Sequence, residues 1–195
     1  MVSKEKLVDA SLESIIQLVC ACEYGEHSII IYPDLASFRE IYTRLARSRI
    51  TEYGDRVILL PHYETTKSVE QALMELDLRA KDEISRGSLE IIDSHHAFFD
   101  PEQSFIQVVA AMQSDAVRSG RTGAVVIADM GSFFHRQAID KLVSHECKIP
   151  ARQAGSRYTI FCCYNARDFQ NLAKSQEEKL CENHYRNLFI RPRDS

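Results

Sequence analysis

Glycine is scarce in this chain, which has 195 residues and only seven glycines. Few of its loops can therefore bring backbone amides close to a phosphate group, because that approach favours residues without a side chain. The sequence contains neither the G-x-x-x-x-G-K-[ST] motif of a P-loop nor a G-x-G-x-x-G motif after its first predicted strand. It also lacks the G-x-S-x-G nucleophile elbow. These absences argue against phosphoryl transfer, dinucleotide binding and hydrolysis by an elbow serine.

Long apolar segments are also absent. A membrane-spanning helix needs about 18 or more consecutive apolar residues, and no part of the sequence approaches that length. Segment 1–27 is interrupted by Asp9, Glu13 and Gln17, so it does not resemble a secretory signal. We therefore expect a cytoplasmic protein that does not contact the membrane. In that compartment cysteines are reduced, and we expect mostly buried thiols at Cys20, Cys22, Cys147, Cys162, Cys163 and Cys181.

The charge of the chain is balanced. The formal net charge is −4 and the sequence pI is about 6.0, so the chain has no overall basic surface of the kind that binds nucleic acid. We expect no direct contact with DNA or RNA. A hydrophobic content of 45% over this length fits one globular domain, with room for a small extension.

Apolar runs predict the strands of a parallel sheet. The runs are nearly continuous and do not alternate with polar residues, which is typical of strands buried on both faces. Helical spacing of apolar residues fills the segments between them. Right-handed crossovers then give a three-layer α/β/α domain with a mostly parallel sheet. The predicted strands are 28–32, 57–63, 89–93, 124–129 and 158–164, with 187–191 as a weaker sixth candidate.

The start of the chain is predicted to be helical. We expect an extra helix over roughly 4–23, packed against the sheet domain. The predicted organisation is therefore a helical extension over 1–24, followed by a single α/β domain over 25–195.

The carboxyl ends of the predicted strands hold the candidate site. In open α/β sheets, ligands bind at this edge. Aromatic residues, histidines and aspartates gather there, and an aromatic pocket with a few polar groups is the usual composition of a small-molecule site. The strand ends carry Tyr32, His62, Asp93, His95, His96, Asp129, Cys163 and Tyr164.

Two catalytic alternatives remain open at this stage. The histidines and aspartates of the strand ends could hold a metal ion in a metal-dependent enzyme, since imidazole and carboxylate suit zinc, iron or manganese. No pair of them has diagnostic spacing, however. In the stretch "IIDSHHAFFD", read as a strand end and a loop, His95 and His96 would point in opposite directions. A triad with Cys163 as nucleophile and His62 or His96 as base is the other alternative.

Several short stretches together resemble a known family. "GEHSIIIYPDLASF" is similar to the opening of the MEDS domain, the sensory domain of DcmR-type regulators from methanogens and methylotrophs. That opening has a Gly-x-His before the first strand, a tyrosine at its end, and an acidic helix start containing phenylalanine. The matching residues are Gly25, His27, Tyr32, Asp34 and Phe38.

The resemblance continues along most of the chain, to about residue 190. "RGSLEIID" with "FDPEQSF" is similar to the third strand of the family and the start of its next helix, and "NHYRNLFI" to its last helix end and strand. "GAVVIADM" matches the fourth strand at Asp129 and Met130, and "FCCYNARDF" matches a Cys-x-Tyr-Asp segment at Cys162 and Tyr164. Asn165 replaces the usual aspartate, and the "DSHH" stretch is not part of the resemblance.

The resemblance implies a RecA/KaiC-like core without a P-loop, from a bacterium or an archaeon, with a sensory or regulatory role rather than catalysis. MEDS domains occur alone and fused to kinase or DNA-binding domains, so we expect this chain to act through a regulatory protein partner. We expect a small, partly apolar organic ligand, no cofactor and no metal, and leave homo-oligomer formation open. A protein-interaction module without a ligand is a further alternative. The predicted ligand-binding residues are His27, Tyr32, His62, Asp93, His95, His96, Asp129, Cys162 and Tyr164.

Overall fold

A computed structural model describes residues 7–100 and 114–192 of the chain. Within these ranges, seven strands form one sheet, and every pair of neighbouring strands is parallel. The strands are β1 (Leu7–Ala10), β2 (His27–Tyr32), β3 (Arg56–Leu60), β4 (Leu89–Ile91), β5 (Ala124–Asp129), β6 (Tyr158–Asn165) and β7 (Asn187–Ile190). Their order across the sheet is β1-β7-β2-β6-β5-β3-β4.

Helices follow most of the strands and cover both faces of the sheet. The three-layer α/β/α architecture predicted from the sequence is therefore confirmed. The helices are α1 (Leu12–Cys20), α2 (Leu35–Thr51), α3 (Thr66–Glu75), α4 (Ala80–Ser85), α5 (Ser94–Phe99), α6 (described over 114–118), α7 (Gly131–His135), α8 (Ile139–Glu146), α9 (Ala166–Phe169) and α10 (Lys174–Glu182).

The sheet separates two apolar cores. The first core lies between the sheet and helices α1 to α4, and the second lies between the sheet and α5 and α7 to α10. Along β2, Ile30 and Tyr32 pack in the first core, while Ile29 and Ile31 pack in the second. Both sets of side chains are buried, because successive residues of a strand point to opposite faces. This explains why the strand sequences are apolar without alternation.

The direction of each connection determines the face on which it lies. The connections from β1 to β2, β2 to β3 and β3 to β4 run toward the β4 edge, and their helices pack in the first core. The later connections run back toward the β1 edge, and their described helices pack in the second core. This is the arrangement expected when every crossover has the same hand. The chain therefore leaves β2 and β6, and likewise β5 and β3, toward opposite faces, which opens a crevice between neighbouring strand ends.

The N-terminal segment differs from the prediction in one respect. A helix is present, but it covers only Leu12–Cys20, and residues 7–10 form the edge strand β1 instead of its first turns. Ser11 separates the two elements, because its side-chain oxygen accepts a hydrogen bond from the backbone N–H of Ser14 at 3.3 Å and caps the helix. The predicted division of the chain at residue 24 stays a prediction.

The structure also bears on the expected sixth strand, the cysteines and the membrane-spanning helices, while two other expectations stay untested. The weak strand candidate 187–191 is confirmed as Asn187–Ile190, and all six cysteines are free thiols. None of the helices in the described ranges combines the length and the apolarity that a membrane crossing requires. The likeness of the core to RecA and KaiC stays a prediction from the resemblance. The helix expected after Pro101 falls outside the described residues.

A buried ion pair fixes the turn between α2 and β3. Arg49 and Asp55 are both almost fully buried, with 2.7 Å between Nη2 and Oδ2. Arg49 also donates a hydrogen bond to the carbonyl of Cys22 at 3.2 Å, and the hydroxyl of Tyr24 donates to Asp55. These contacts join the end of α2, the start of β3 and the loop before β2.

Removal of one partner of this ion pair should destabilise the folded protein. We expect Asp55→Ala to lower the free energy of unfolding by about 3–5 kcal/mol, because it leaves the Arg49 charge buried without its counter-ion. Urea denaturation measures this change. The control is Asp82→Ala, which removes an exposed ion pair with Arg79 and should change stability little. Equal effects of the two substitutions would contradict the prediction.

Candidate functional site

In the part of the chain that the structure describes, two clefts lie at the carboxyl edge of the sheet. The first cleft is at the crevice where β2 and β6 end, and its volume is about 460 Å³. Its lining side chains include both signs of charge. The lining residues are Tyr32, Pro33, Asp34, Leu35, Tyr63, Asn165, Arg167 and Asp168.

The second cleft is at the crevice where β3 and β5 end, and its volume is about 420 Å³. Both volumes fall in the range of small-molecule sites, about 300–1,000 Å³. This cleft combines aromatic and aliphatic walls with histidines and amides. The lining residues are His62, Tyr63, Phe134, His135, Gln137, Ile139, Asp168 and Asn171.

One hydrogen bond forms the partition between the clefts. The hydroxyl of Tyr63, which follows β3, donates to the carboxylate of Asp168 in α9. Both residues line both clefts. The Tyr63 side chain is nevertheless almost half exposed, at 46%, so a molecule entering either cleft meets it directly.

A glycine allows His62 and Tyr63 to approach α7 closely. A Cβ atom on Gly131 would lie 2.5 Å from Cδ2 of His62 and 2.8 Å from Cε2 of Tyr63. The ring of His62 packs edge-on against Tyr63 and lies 5.8 Å from the ring of His135, measured between centroids. Burial, together with the nearby His135, lowers the pKa of His62, so His62 is neutral at pH 7 and can both donate and accept a hydrogen bond.

Asp129 lies beneath the clefts instead of lining them. It is almost fully buried. Its carboxylate accepts hydrogen bonds from the hydroxyl of Tyr32 at 3.1 Å and from the backbone N–H of Gly131 at 3.0 Å. Burial raises the pKa of Asp129 from 3.8 to about 7, although these hydrogen bonds oppose the shift. Asp129 therefore positions Tyr32 and the start of α7.

The "DSHH" stretch forms a helix and not the predicted loop. Asp93 is the N-cap of α5, and its carboxylate accepts a hydrogen bond from the backbone N–H of His96 at 3.1 Å. His95 accepts a hydrogen bond from Arg136. His96 is largely exposed and lies 3.7 Å from a carboxylate oxygen of Asp100. The capping side chain thus explains the stretch, and these three residues do not line either cleft.

His27 and Cys162 also lie elsewhere, contrary to the prediction. His27 begins β2, at the opposite end of that strand from the clefts, and Cys162 lies in the middle of β6. Both face the second core, where they meet Glu146 and His184. Burial, with a contribution from His184, lowers the pKa of His27 to about 4. The pKa of Glu146 is lowered despite its burial, because Nε2 of His184 and Nε2 of His27 lie within hydrogen-bond distance of its carboxylate.

Tyr164 is a core residue. Its ring is fully buried and packs edge-on against Phe169 and Phe134, with centroid distances of 5.3 and 6.3 Å. Among the described residues, its hydroxyl has no hydrogen-bond partner. Of the nine predicted residues, the structure therefore places only Tyr32 and His62 in the walls of the clefts, and Asp129 directly below them.

The catalytic alternatives find no supporting geometry in the described ranges. The histidines and aspartates of the strand ends do not bring three ligand atoms together there; the grouping with metal-site spacing is that of His27, Glu146, Cys162 and His184. Cys163 is completely buried, and burial raises its pKa well above the ordinary value. It remains a protonated thiol, which is a poor nucleophile.

The prediction missed most of the residues that line the clefts. Tyr63 directly follows His62, so its position at a strand end was visible in the sequence. Asp168 comes three residues after the end of β6, and His135 comes six after the end of β5. Each lies on a short helix after its strand, and a rule that reads only the strand ends does not reach it.

The family comparison agrees with the resemblance noted from the sequence. The family model of the MEDS domain, described as the methanogen/methylotroph DcmR sensory domain, matches residues 26–179. The match covers well over half of the chain and includes every residue that lines the two clefts. No curated protein matches the sequence.

The ionisation of Asp129 should make stability depend on pH. The folded protein holds the Asp129 proton more tightly than the unfolded chain does, so the free energy of unfolding falls as pH rises from about 4 to about 7. Because Asp129→Asn removes this proton, we expect the wild type to lose about 3–4 kcal/mol relative to the variant over that range. Urea denaturation at several pH values measures the difference, with the exposed Asp82→Asn as the control. Parallel pH profiles for wild type and Asp129→Asn would contradict the prediction.

Gly131→Ala should disturb the wall shared by the clefts. The added Cβ overlaps His62 and Tyr63, and we expect a loss of about 1–3 kcal/mol in the free energy of unfolding. His62→Ala in the same chain removes the nearer overlap and should recover part of that loss. A double-mutant cycle measures this coupling. If the two substitutions change the free energy of unfolding additively, the close approach of His62 to Gly131 does not affect stability.

Proposed function

Because the chain belongs to the MEDS family of sensory domains, we propose that it senses a small, partly apolar organic molecule that binds in the second cleft. The position and composition of this cleft carry the proposal. It lies at the carboxyl ends of β3 and β5, where the chain leaves neighbouring strands toward opposite faces, and this is the place where open α/β sheets bind ligands.

The lining of the second cleft suits such a ligand. Phe134, Ile139 and the ring of Tyr63 provide apolar surface. His62 offers a neutral imidazole that can donate or accept a hydrogen bond, and the amides of Gln137 and Asn171 also reach the cleft. The first cleft is less suitable, because Asp34 and Arg167 add two charged side chains to Asp168, which both clefts share.

The signal would pass to a regulatory protein partner in the cytoplasm, without direct contact with nucleic acid. Binding in the second cleft would alter the Tyr63–Asp168 hydrogen bond. That bond joins the loop after β3 to α9, so its rearrangement would reposition surface elements that a partner can contact. A shift in the population of two such arrangements is sufficient for sensing.

Thermal denaturation with a panel of small organic molecules tests the ligand site. The panel consists of short alcohols, ketones and phenols, each with an apolar body and one hydrogen-bonding group. A molecule that binds the folded state raises the Tm. We expect such a rise for the wild type and a rise at least several-fold smaller for His62→Gln, since one lost hydrogen bond costs about 1 kcal/mol or more.

The matched control is His96→Gln, which makes the same change at an exposed histidine away from both clefts. It should keep the full response. Equal responses in the two variants would place the ligand elsewhere. Loss of the response in Arg167→Ala, with His62→Gln unaffected, would assign the ligand to the first cleft.

A further inference from the structure

A buried polar cluster lies on the second face of the sheet, away from both clefts. Four side-chain atoms converge there: Nε2 of His27, Nε2 of His184, a carboxylate oxygen of Glu146 and Sγ of Cys162. All of them lie within 4.8 Å of one another. The four side chains are almost completely inaccessible to solvent. Charged and polar groups at such depth require close partners.

The cluster is built from four separate parts of the chain. His27 begins β2, Cys162 lies in β6, Glu146 ends α8, and His184 follows α10. The imidazole rings of His27 and His184 lie side by side, with 4.0 Å between their centroids. The four residues are up to 157 positions apart in the sequence, so no local pattern reveals them.

The hydrogen bonds of His184 orient its second nitrogen toward the centre of the cluster. Nδ1 lies 2.6 Å from the carbonyl oxygen of Leu180. A carbonyl can only accept, so Nδ1 carries the proton and donates it. A ring that carries only this proton has a lone pair at Nε2, which lies 2.8 Å from Oε2 of Glu146. Two acceptors face each other at this distance only when a proton or a metal cation lies between them.

The potential ligand atoms of His27 and Cys162 lie close to the same carboxylate. Nε2 of His27 is 3.2 Å from Oε2 of Glu146 and 3.2 Å from Sγ of Cys162. Sγ of Cys162 is in turn 3.4 Å from Oε1 of Glu146. In a tetrahedral zinc site, neighbouring ligand atoms are about 3.3–3.6 Å apart, given the usual Zn–N, Zn–O and Zn–S distances. The contacts of 3.2, 3.2 and 3.4 Å already lie near this range, whereas Nε2 of His184 and Oε2 of Glu146, at 2.8 Å, would have to separate by about half an ångström.

We propose that His27, Glu146, Cys162 and His184 form a closed, four-ligand Zn²⁺ site. One thiolate, two imidazoles and one carboxylate are ligands that zinc accepts. The hydrogen bond from Nδ1 of His184 to Leu180 is the outer-shell contact that orients a zinc-bound histidine. Four protein ligands in a buried site leave no position for a substrate, so the ion has a structural role.

The ion would join the two long parallel strands to the helices that cover them. β2 and β6 are neighbours in the sheet, while α8 and α10 lie above them in the second core. Binding energy at a site absent from the unfolded chain is folding energy. Zinc would therefore stabilise the scaffold of the clefts without touching a ligand. This inference does not depend on the proposed function of the clefts.

Elemental analysis of the protein, purified without a histidine tag from zinc-containing medium, is the direct test. We expect an equimolar amount of zinc in the wild type and in Cys163→Ala, and at least a tenfold loss in Cys162→Ala. The two cysteines are adjacent, equally buried and on opposite faces of β6, so the variants are a matched pair. Unfolding in urea with a chelator, followed by refolding without zinc, should lower the Tm by about 10 °C.

A second measurement keeps the test decisive if Cys162→Ala does not fold. Refolding of the wild type with Co²⁺ should give the visible absorption of a tetrahedral cobalt site and a charge-transfer band from the thiolate. A protein that contains no zinc and binds neither Zn²⁺ nor Co²⁺ on refolding would overturn the proposal and leave a shared proton at the centre. Retention of zinc in Cys162→Ala, or another metal in its place, would also overturn it.

Discussion

The single hand of parallel crossovers is the constraint on which the rest of this structure depends. Strand connections that run toward one edge of the sheet must lie over one face, and those that run back must lie over the other. The strand order β1-β7-β2-β6-β5-β3-β4 reverses direction once, after β4. The return path therefore inserts β7 between β1 and β2, and β6 with β5 between β2 and β3. The chain departs toward opposite faces from three pairs of neighbouring strands, β2 with β6, β5 with β3 and β3 with β4, and the two clefts lie at the first two pairs.

Burial of both sheet faces imposes a second condition on polar side chains. A charged or polar group that points inward is costly to bury unless it has a partner within the core. Arg49 meets Asp55, Asp129 meets Tyr32 and the backbone of Gly131, and Glu146 meets two histidines. The Arg49–Asp55 pair joins the end of α2 to the start of β3. Asp129 supports the clefts from below, and the Glu146 cluster joins strands to helices on the far side of the sheet.

The sequence allowed the fold to be predicted better than the site. Continuous apolar runs such as 124–129 indicate doubly buried strands, and this pattern depends only on burial. The four-residue strand β1 was not predicted, because it is short and contains Asp9, and because Ser11 caps a helix directly after it. The site residues depend on tertiary contacts. His27 and Cys162 were recognised through family motifs, but only the folded chain brings them to Glu146 and His184, far from the clefts.

The partition formed by Tyr63 and Asp168 places one pair of side chains in the walls of both clefts. A single hydrogen bond belongs to the wall of both, and it joins residues that are 105 positions apart in the sequence. A molecule that displaces the Tyr63 ring from one side changes the width of the space on the other side. Linkage is reciprocal: if molecules bind in both clefts, an occupant of the first cleft changes the affinity of the second by the same factor as the reverse. One shared hydrogen bond is then the contact through which two different occupants would influence each other.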